Sequence, residues 1–153
     1  MKTLKRIIKQ NCQVLGIAAP ALRVEKASFF TTETTRAALV ADDGEKSGAC
    51  IVVNERFIDE LKKDEVQAVL TLSHECRHRW QIVNLSLAGY SSSESLSVEE
   101  YNEQDLEVDA WAWATIAMSH FFENVPDFKP VFGDALAKKI MDRASEILEK
   151  KII

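Results

Sequence analysis

The chain contains no apolar run long enough to cross a membrane. Of its 153 residues 46% are hydrophobic, but no stretch reaches the roughly 18–20 apolar residues that a transmembrane helix needs. Residues 1–22 are basic and alanine-containing, as a signal peptide is, yet Lys9, Gln10 and Asn11 interrupt the apolar segment that a signal peptide requires. We therefore expect a cytoplasmic protein that does not associate with a membrane.

The chain has few cysteines, and its basic residues are outnumbered by its acidic ones. The three cysteines, Cys12, Cys50 and Cys76, are odd in number and have no Cys-x-x-Cys spacing, which favours free thiols in a reducing compartment over a disulfide scaffold. The net charge of −5 does not provide the basic surface that non-specific nucleic-acid binding requires. Nucleic acid is therefore not expected as a partner.

Internal repeats and interdomain linkers are also absent from the sequence. A chain of 153 residues is long enough to bury a core without disulfide or metal cross-links. We predict a single domain over residues 1–153.

Residues 64–85 contain neither Gly nor Pro and have the periodicity of a helix. Asp64 followed three positions later by Gln67 is typical of a helix N-cap with a reciprocal partner. Beside the apolar face, a stripe of polar side chains follows helical spacing: Thr71, His74, His78 and Gln81. This pattern predicts a helix with one polar face suited to a buried site.

The same helix carries the motif His-Glu-x-x-His at residues 74–78. Because His74 and His78 are four residues apart, both imidazoles project from one helix face and can reach one zinc ion at about 2.0–2.1 Å. Glu75 lies beside the metal position, where its carboxylate can accept a proton from a water molecule. This is the pattern of zinc peptidases. The alternative is a structural helical domain with two histidines on a solvated face.

Catalytic zinc usually has a third protein ligand, and the acidic residues after the motif are the candidates. Most acidic side chains on helices are simply solvated. The expected second long helix, residues 98–122, offers several candidates: Glu103, Asp105, Glu107, Asp109 and, near its end, His120. His120 lies thirteen residues beyond Glu107, which is about 20 Å along a straight helix.

The segments HECRHRWQ and YNEQDLEVDAWAWA resemble the small gluzincin-type metallopeptidases of bacteria and phages, which are related to the ImmA/IrrE-like peptidase domain. In such families a second helix reads roughly E-x-E/D-A-N/D-x-F-A, and its first Glu is the third zinc ligand. Glu107 holds that position here. The resemblance covers about residues 48–114. It implies a zincin-like fold, a zinc cofactor and a cytoplasmic peptide or protein substrate.

One departure from the family pattern concerns Trp111, which stands where the family has Asn or Asp. A carboxylate or amide there can orient a zinc-bound imidazole. Its loss makes Asp109 or Glu103 a substitute candidate for that role. In a register shifted by two residues, Asp105 would be the ligand and Asp109 the orienting acid.

The remaining segments predict an α+β fold, with a small mixed or antiparallel sheet packed on the motif helix between N- and C-terminal helices. The expected elements are an amphipathic N-terminal helix with Leu4, Ile7, Ile8, Cys12 and Leu15 on one face, a strand at 22–31, a hairpin of 36–42 and 48–54 turning at Asp43-Gly44, a short helix at 55–63, a serine-rich loop at 89–97 and a last helix capped by Asp134. Residues 50–54, as an edge strand, could pair with an extended peptide.

Together these features predict a zinc metallopeptidase with His74, His78 and Glu107 as ligands and Glu75 as general base. The group that stabilises the oxyanion is left open among Tyr90, Tyr101, Arg77 and His120, although Arg77 fits a structural ion pair equally well, and Cys76 is expected in the core. A rival reading is a zinc-binding or partner-binding module on the same scaffold that has lost catalysis, which the residue at 111 supports.

Overall fold

The computed structural model describes residues 1–40, 49–85, 97–123 and 125–152 and has an α+β architecture, as predicted. Its elements are α1 Lys2–Val14, β1 Ala21–Glu25, β2 Ala37–Val40, β3 Cys50–Asn54, α2 Ile58–Lys63, α3 Glu65–Asn84, α4 Val98–Asn102, α5 Asp105–Phe122 and α6 Lys129–Lys150. Within these ranges, no helix has the length and apolarity to cross a membrane.

The sheet has the strand order β1-β3-β2, with β1 parallel and β2 antiparallel to β3. The predicted pairing of residues 36–42 with 48–54 is confirmed, while the Asp43-Gly44 turn lies outside the described residues. The prediction that residues 50–54 form an edge was wrong. All five residues of β3 are buried, because the run Cys-Ile-Val-Val-Asn suits a strand with neighbours on both sides. The edge that borders α3 is β2.

The strand predicted at 22–31 is shorter in the structure. β1 pairs residue for residue with β3, from Ala21 opposite Cys50 to Glu25 opposite Asn54. Beyond Asn54 the chain turns into a short 3-10 helix, so the ladder has no partner for further residues. Residues 27–29 consequently form a 3-10 turn of their own, although their aromatic side chains favour extended structure.

Helix α3 forms the centre of the molecule and begins where the sequence indicates. The Asp64 carboxylate accepts a hydrogen bond from the Gln67 backbone N–H at 3.0 Å, which satisfies one of the free donors of the first turn. The reciprocal half of the cap is absent, since the Gln67 side chain donates to Thr71 instead. Against α3 packs the predicted apolar face of α1, all of it buried: Leu4, Ile7, Ile8, Cys12 and Leu15.

The long helix predicted over residues 98–122 is two helices. Gln104 has φ −59° and ψ 141°, an extended conformation that separates α4 from α5. Glu103 therefore does not share a helix face with Glu107, which lies in the first turn of α5. α5 packs on α3, and its buried alanines let the two helices approach closely: Ala110, Ala112, Ala114 and Ala117.

The last helix consists of a short first turn and a longer segment, separated by a kink. α6 runs from Lys129 and carries Pro130 in its first turn, where the missing N–H costs nothing. It is interrupted at Gly133, whose φ of 77° glycine adopts without steric cost. Asp134 follows this interruption and begins the longer helical segment, near the predicted start, and its carboxylate pairs with Lys129.

Candidate metal centre

Helices α3 and α5 bring two imidazoles and one carboxylate together. The Nε2 atoms of His74 and His78 lie 2.9 Å apart. Each is 3.2 Å from one carboxylate oxygen of Glu107. In the described part of the chain, these three residues form the group that could hold a metal ion, with all ligand atoms within 4.8 Å of one another.

The dimensions of this group fit a tetrahedral ion. Two ligands at about 2.0–2.1 Å from a tetrahedral zinc lie about 3.3 Å apart. The three separations are 2.9, 3.2 and 3.2 Å, so a small outward movement of the imidazoles would reach that spacing. Three protein ligands leave one position of the tetrahedron open. The donor set and its spacing therefore suit a metal ion with one exchangeable site.

In the metal-free protein, burial and hydrogen bonding determine the pKa values of His78 and Glu107. Burial opposes a charge on His78, but hydrogen bonding to Glu107 and the charges of Glu107 and Glu75 raise the pKa of His78 to about 9. Burial would raise the pKa of Glu107, but hydrogen bonds from His74 and His78 hold it far below its usual value. The carboxylates of Glu107 and Glu75 thus favour a positive charge between the ligand atoms, and in the metal-free protein the proton on His78 supplies it.

Glu75 lies beside this group, nearly buried, with its carboxylate close to β2. Burial raises the pKa of the Glu75 carboxyl above its usual value, and the charge of Glu107 adds to the rise. Nearby His74 and His78 and a hydrogen bond from the Leu39 backbone N–H oppose it. A carboxylate with a raised pKa is a better proton acceptor near neutral pH.

His78 is held by a hydrogen bond on its other ring nitrogen. Its Nδ1 lies 2.8 Å from Oε1 of Gln81, one turn further along α3. The Nε2 of Gln81 donates to the Leu106 carbonyl at 2.8 Å and to the Asp109 carboxylate at 2.9 Å. The sequence placed Gln81 on the polar face but gave it no role. Its spacing of three residues from His78 is the signal that could have identified it.

The sequence predicted that Asp109 would contact an imidazole directly. In the structure Asp109 accepts a hydrogen bond from the Gln81 amide, whose oxygen lies against His78. The carboxylate of Asp109 also accepts two hydrogen bonds from Arg77, at 2.7 and 3.2 Å, and one from Arg143 of α6 at 2.8 Å. Burial would raise the pKa of Asp109, but these guanidinium groups lower it. Arg77 is completely buried and lies over the Trp80 ring. It is therefore a structural ion-pair partner, and not an oxyanion-stabilising candidate.

His74 is held by packing. Its ring centroid lies 4.3 Å from that of Trp111, and its Nδ1 has no hydrogen-bond partner among the described residues. Trp111 in turn packs against Phe128 and Phe132. The two imidazoles are thus supported by different means.

A cleft of about 780 Å³ opens onto this group. Its walls include His74, Glu75, His78, Glu107 and residues 34–40 of the β2 region. The Asn54 N–H donates to the Arg36 carbonyl, which makes these two residues a hydrogen-bonded pair. In an antiparallel ladder, hydrogen-bonded pairs alternate with pairs that are not hydrogen-bonded to each other. The backbone N–H and C=O groups of Ala37 and Leu39 therefore point away from β3, and the Leu39 N–H donates a hydrogen bond to Glu75. The edge of β2 opposite β3, which pairs with no other strand among the described residues, therefore faces the site.

The other predicted candidates lie elsewhere. Asp105 is 97% exposed and pairs with Lys139. Exposed His120 lines a separate cavity between α1 and α5. Tyr101 lines the cleft, whereas Tyr90 lies outside the described residues, as does the serine-rich loop apart from Ser97. Cys76 is in the core, as predicted, with its sulfur 3.8 Å from that of Cys12.

Comparisons of the chain with protein-family models, with curated proteins and with solved structures return no match. The function of the chain is therefore inferred from the three converging donor atoms and from the acid beside them.

Proposed function

We propose that the chain is a zinc-dependent metallopeptidase in which His74, His78 and Glu107 hold the metal and Glu75 is the general base. The observation that supports this most strongly is the convergence of three donor atoms from two helices within 4.8 Å, next to a nearly buried acid that lines the same cleft. A structural metal site has no need of such an acid. A hydrolytic site does, because water must lose a proton as it attacks.

Zinc is the metal that this donor set favours. Two neutral imidazoles and one carboxylate, with a fourth position open, form one of the ligand sets of catalytic zinc. Hard cations such as Mg²⁺ and Ca²⁺ prefer six or more oxygen ligands, whereas this group offers one carboxylate. The zincin-like fold that the resemblance implies belongs to the same proposal, with α3 carrying the motif and α5 carrying the third ligand.

When bound, zinc supplies a Lewis acid that polarises a carbonyl and lowers the pKa of water. Glu75 accepts the proton of the attacking water as the new C–O bond forms. It then donates that proton to the peptide nitrogen as the C–N bond breaks, so the carboxylate is regenerated. A carboxylate suits both steps, because the group must take up the proton and then release it.

An extended peptide is the substrate that the cleft favours. The outward backbone groups of Ala37 and the Leu39 carbonyl can pair with an added strand, as in β-augmentation. This transfers to β2 the role that the sequence suggested for residues 50–54. Apolar Trp111 and Phe132 line the cleft as well, and they could contact side chains of such a peptide.

A second candidate is a zinc-binding module on the same scaffold that lacks hydrolysis. The observation that favours it is Trp111, which packs on His74 and leaves Nδ1 of that ring without a polar partner among the described residues. Both candidates bind the metal. They differ in whether Glu75 transfers a proton.

The test combines metal analysis with a peptide-library assay on the wild type, Glu75→Gln and Glu65→Gln. Glu65 lies on the same helix, exposed and paired with Arg6, and is the matched control. We expect about one zinc per chain in all three proteins and hydrolysis in all but Glu75→Gln. Stoichiometric zinc without hydrolysis in the wild type would favour the second candidate. Equal zinc content in the wild type and His78→Ala would contradict the metal site itself.

A further inference from the structure

We propose that Gln81 is the positioning residue of the metal site: it fixes the ring of His78 so that Nε2 faces the metal, and Asp109 fixes Gln81 in turn. The inference rests on the proposed metal site and extends it. It assigns to a residue of the motif helix itself the role that the resembling families give to an Asn or Asp at the position of Trp111.

The orientation of the Gln81 amide is determined by its surroundings. Its Nε2 lies 2.8 Å from the Leu106 carbonyl oxygen and 2.9 Å from a carboxylate oxygen of Asp109. A reversed amide would place Oε1 against both oxygens with no hydrogen between them. The amide nitrogen must therefore face these two acceptors, and Oε1 must face His78.

This orientation selects the tautomer of His78. An amide oxygen can only accept, so the Nδ1 of His78, at 2.8 Å, must carry the hydrogen. Nε2 is then the ring nitrogen that faces Glu107 and His74, and once it releases its proton to the solvent it has the free lone pair that a metal ligand requires. The hydrogen bond also prevents rotation of the ring out of the site.

Asp109 holds the amide because Asp109 itself cannot turn. Three hydrogen bonds from Arg77 and Arg143 fix both oxygens of its carboxylate. Gln81, Arg77 and Asp109 are each at most 3% exposed, so water does not compete for these bonds. Residues of α3, α5 and α6 thus set the direction of one imidazole.

The test compares Gln81→Leu and Gln81→Glu with the control Gln67→Leu, which changes a glutamine of the same helix that bonds Thr71. Zinc affinity is measured by competition with a chelator, and stability of the metal-free proteins by urea unfolding. Gln81→Leu should bind zinc about 10–100-fold more weakly than the wild type, whereas Gln67→Leu should not change the affinity.

Gln81→Glu separates positioning from a structural role. The new carboxylate can still accept a hydrogen bond from His78, so zinc affinity should recover most of what Gln81→Leu loses. The same carboxylate lies against that of Asp109, and repulsion between the two should lower the stability of the variant. If zinc affinity instead follows stability across the variants, Gln81 is merely structural and the inference is overturned. A wild type that binds no zinc would overturn the proposed function as well, whereas equal zinc binding by the wild type and Gln81→Leu would overturn the inference alone.

A spectroscopic measurement does not depend on the folding of any variant. The chain has three histidines, so their ring nitrogens can be assigned by ¹⁵N NMR of the zinc-loaded protein. The Nδ1–H of His78 should exchange slowly with solvent and lose that protection in Gln81→Leu. If Gln81→Leu does not fold, the wild-type spectrum decides: an Nδ1–H of His78 that exchanges as fast as the ring protons of exposed His120 would overturn the inference.

Discussion

The indole of Trp111 packs against the imidazole of His74, with ring centroids 4.3 Å apart and planes tilted by 47°. The indole offers no hydrogen-bond acceptor to Nδ1 of His74, so it limits rotation of the imidazole by van der Waals contact alone. His78, one turn away, is restricted by the Gln81 amide at 2.8 Å. The metal site therefore combines one ligand held by packing with one held by a hydrogen bond.

Trp111→Ala should weaken zinc binding on the order of tenfold, because the ring of His74 gains rotational freedom that must be lost on binding. Trp111→Phe should keep the affinity within a few-fold, since an aromatic ring still covers the imidazole. Chelator competition measures both. Wild-type affinity in Trp111→Ala would show that the helix backbone alone orients His74.

Glu107→Ala should lower zinc affinity far more than Asp105→Ala. Glu107 is 1% exposed and faces both imidazoles, whereas the side chain of Asp105 is 97% exposed. Isothermal titration of the two variants and the wild type with zinc makes the comparison. A large loss in Asp105→Ala with normal binding by Glu107→Ala would assign the third ligand to the shifted register.

Asp109→Asn should destabilise the metal-free protein by on the order of 3–5 kcal/mol, because it leaves the charge of Arg77 buried without its counter-ion. Asp142→Asn is the control: its partner Lys138 is exposed, and such surface pairs contribute roughly 0–1 kcal/mol. Urea unfolding at neutral pH measures both. Similar losses in the two variants would mean that the Arg77–Asp109 pair contributes no more than a surface ion pair.

Zinc affinity should rise with pH up to about pH 9. In the metal-free protein the pKa of His78 is about 9, so at neutral pH the metal must displace a proton, and each pH unit gained below pH 9 is worth about tenfold in affinity. Affinity measured from pH 6.5 to 9 checks the slope. A flat profile would show that His78 releases no proton on binding.

The stability of the metal-free protein should change in the opposite direction. The pKa of His78 is raised on folding, so its contribution is fully present below the unfolded value of about 6.5 and is lost as pH rises through about 9. Urea unfolding of the chelated protein should therefore show falling stability across this interval. His78→Gln should flatten the profile.

The sequence alone determined the features that depend on local spacing. The Asp64 cap, the helix that follows it and the common face of His74 and His78 depend on intervals of three and four residues, and the helix repeat converts these into geometry. The preference for Glu107 over Asp105 came from the resemblance of residues 107–114 to the second helix of the gluzincin-type families. The buried face of α1 followed from the same periodicity.

Only the tertiary structure decided which distant residues meet. Strand order made β3 central and placed β1 and β2 at the edges, because pairing between strands depends on the whole sheet and not on the composition of one strand. The interruption at Gln104 removed Glu103 from the face of Glu107. Gln81 reached Asp109 across 28 residues of sequence, since buried polar groups take whichever partner packing brings within reach. No local pattern encodes that distance.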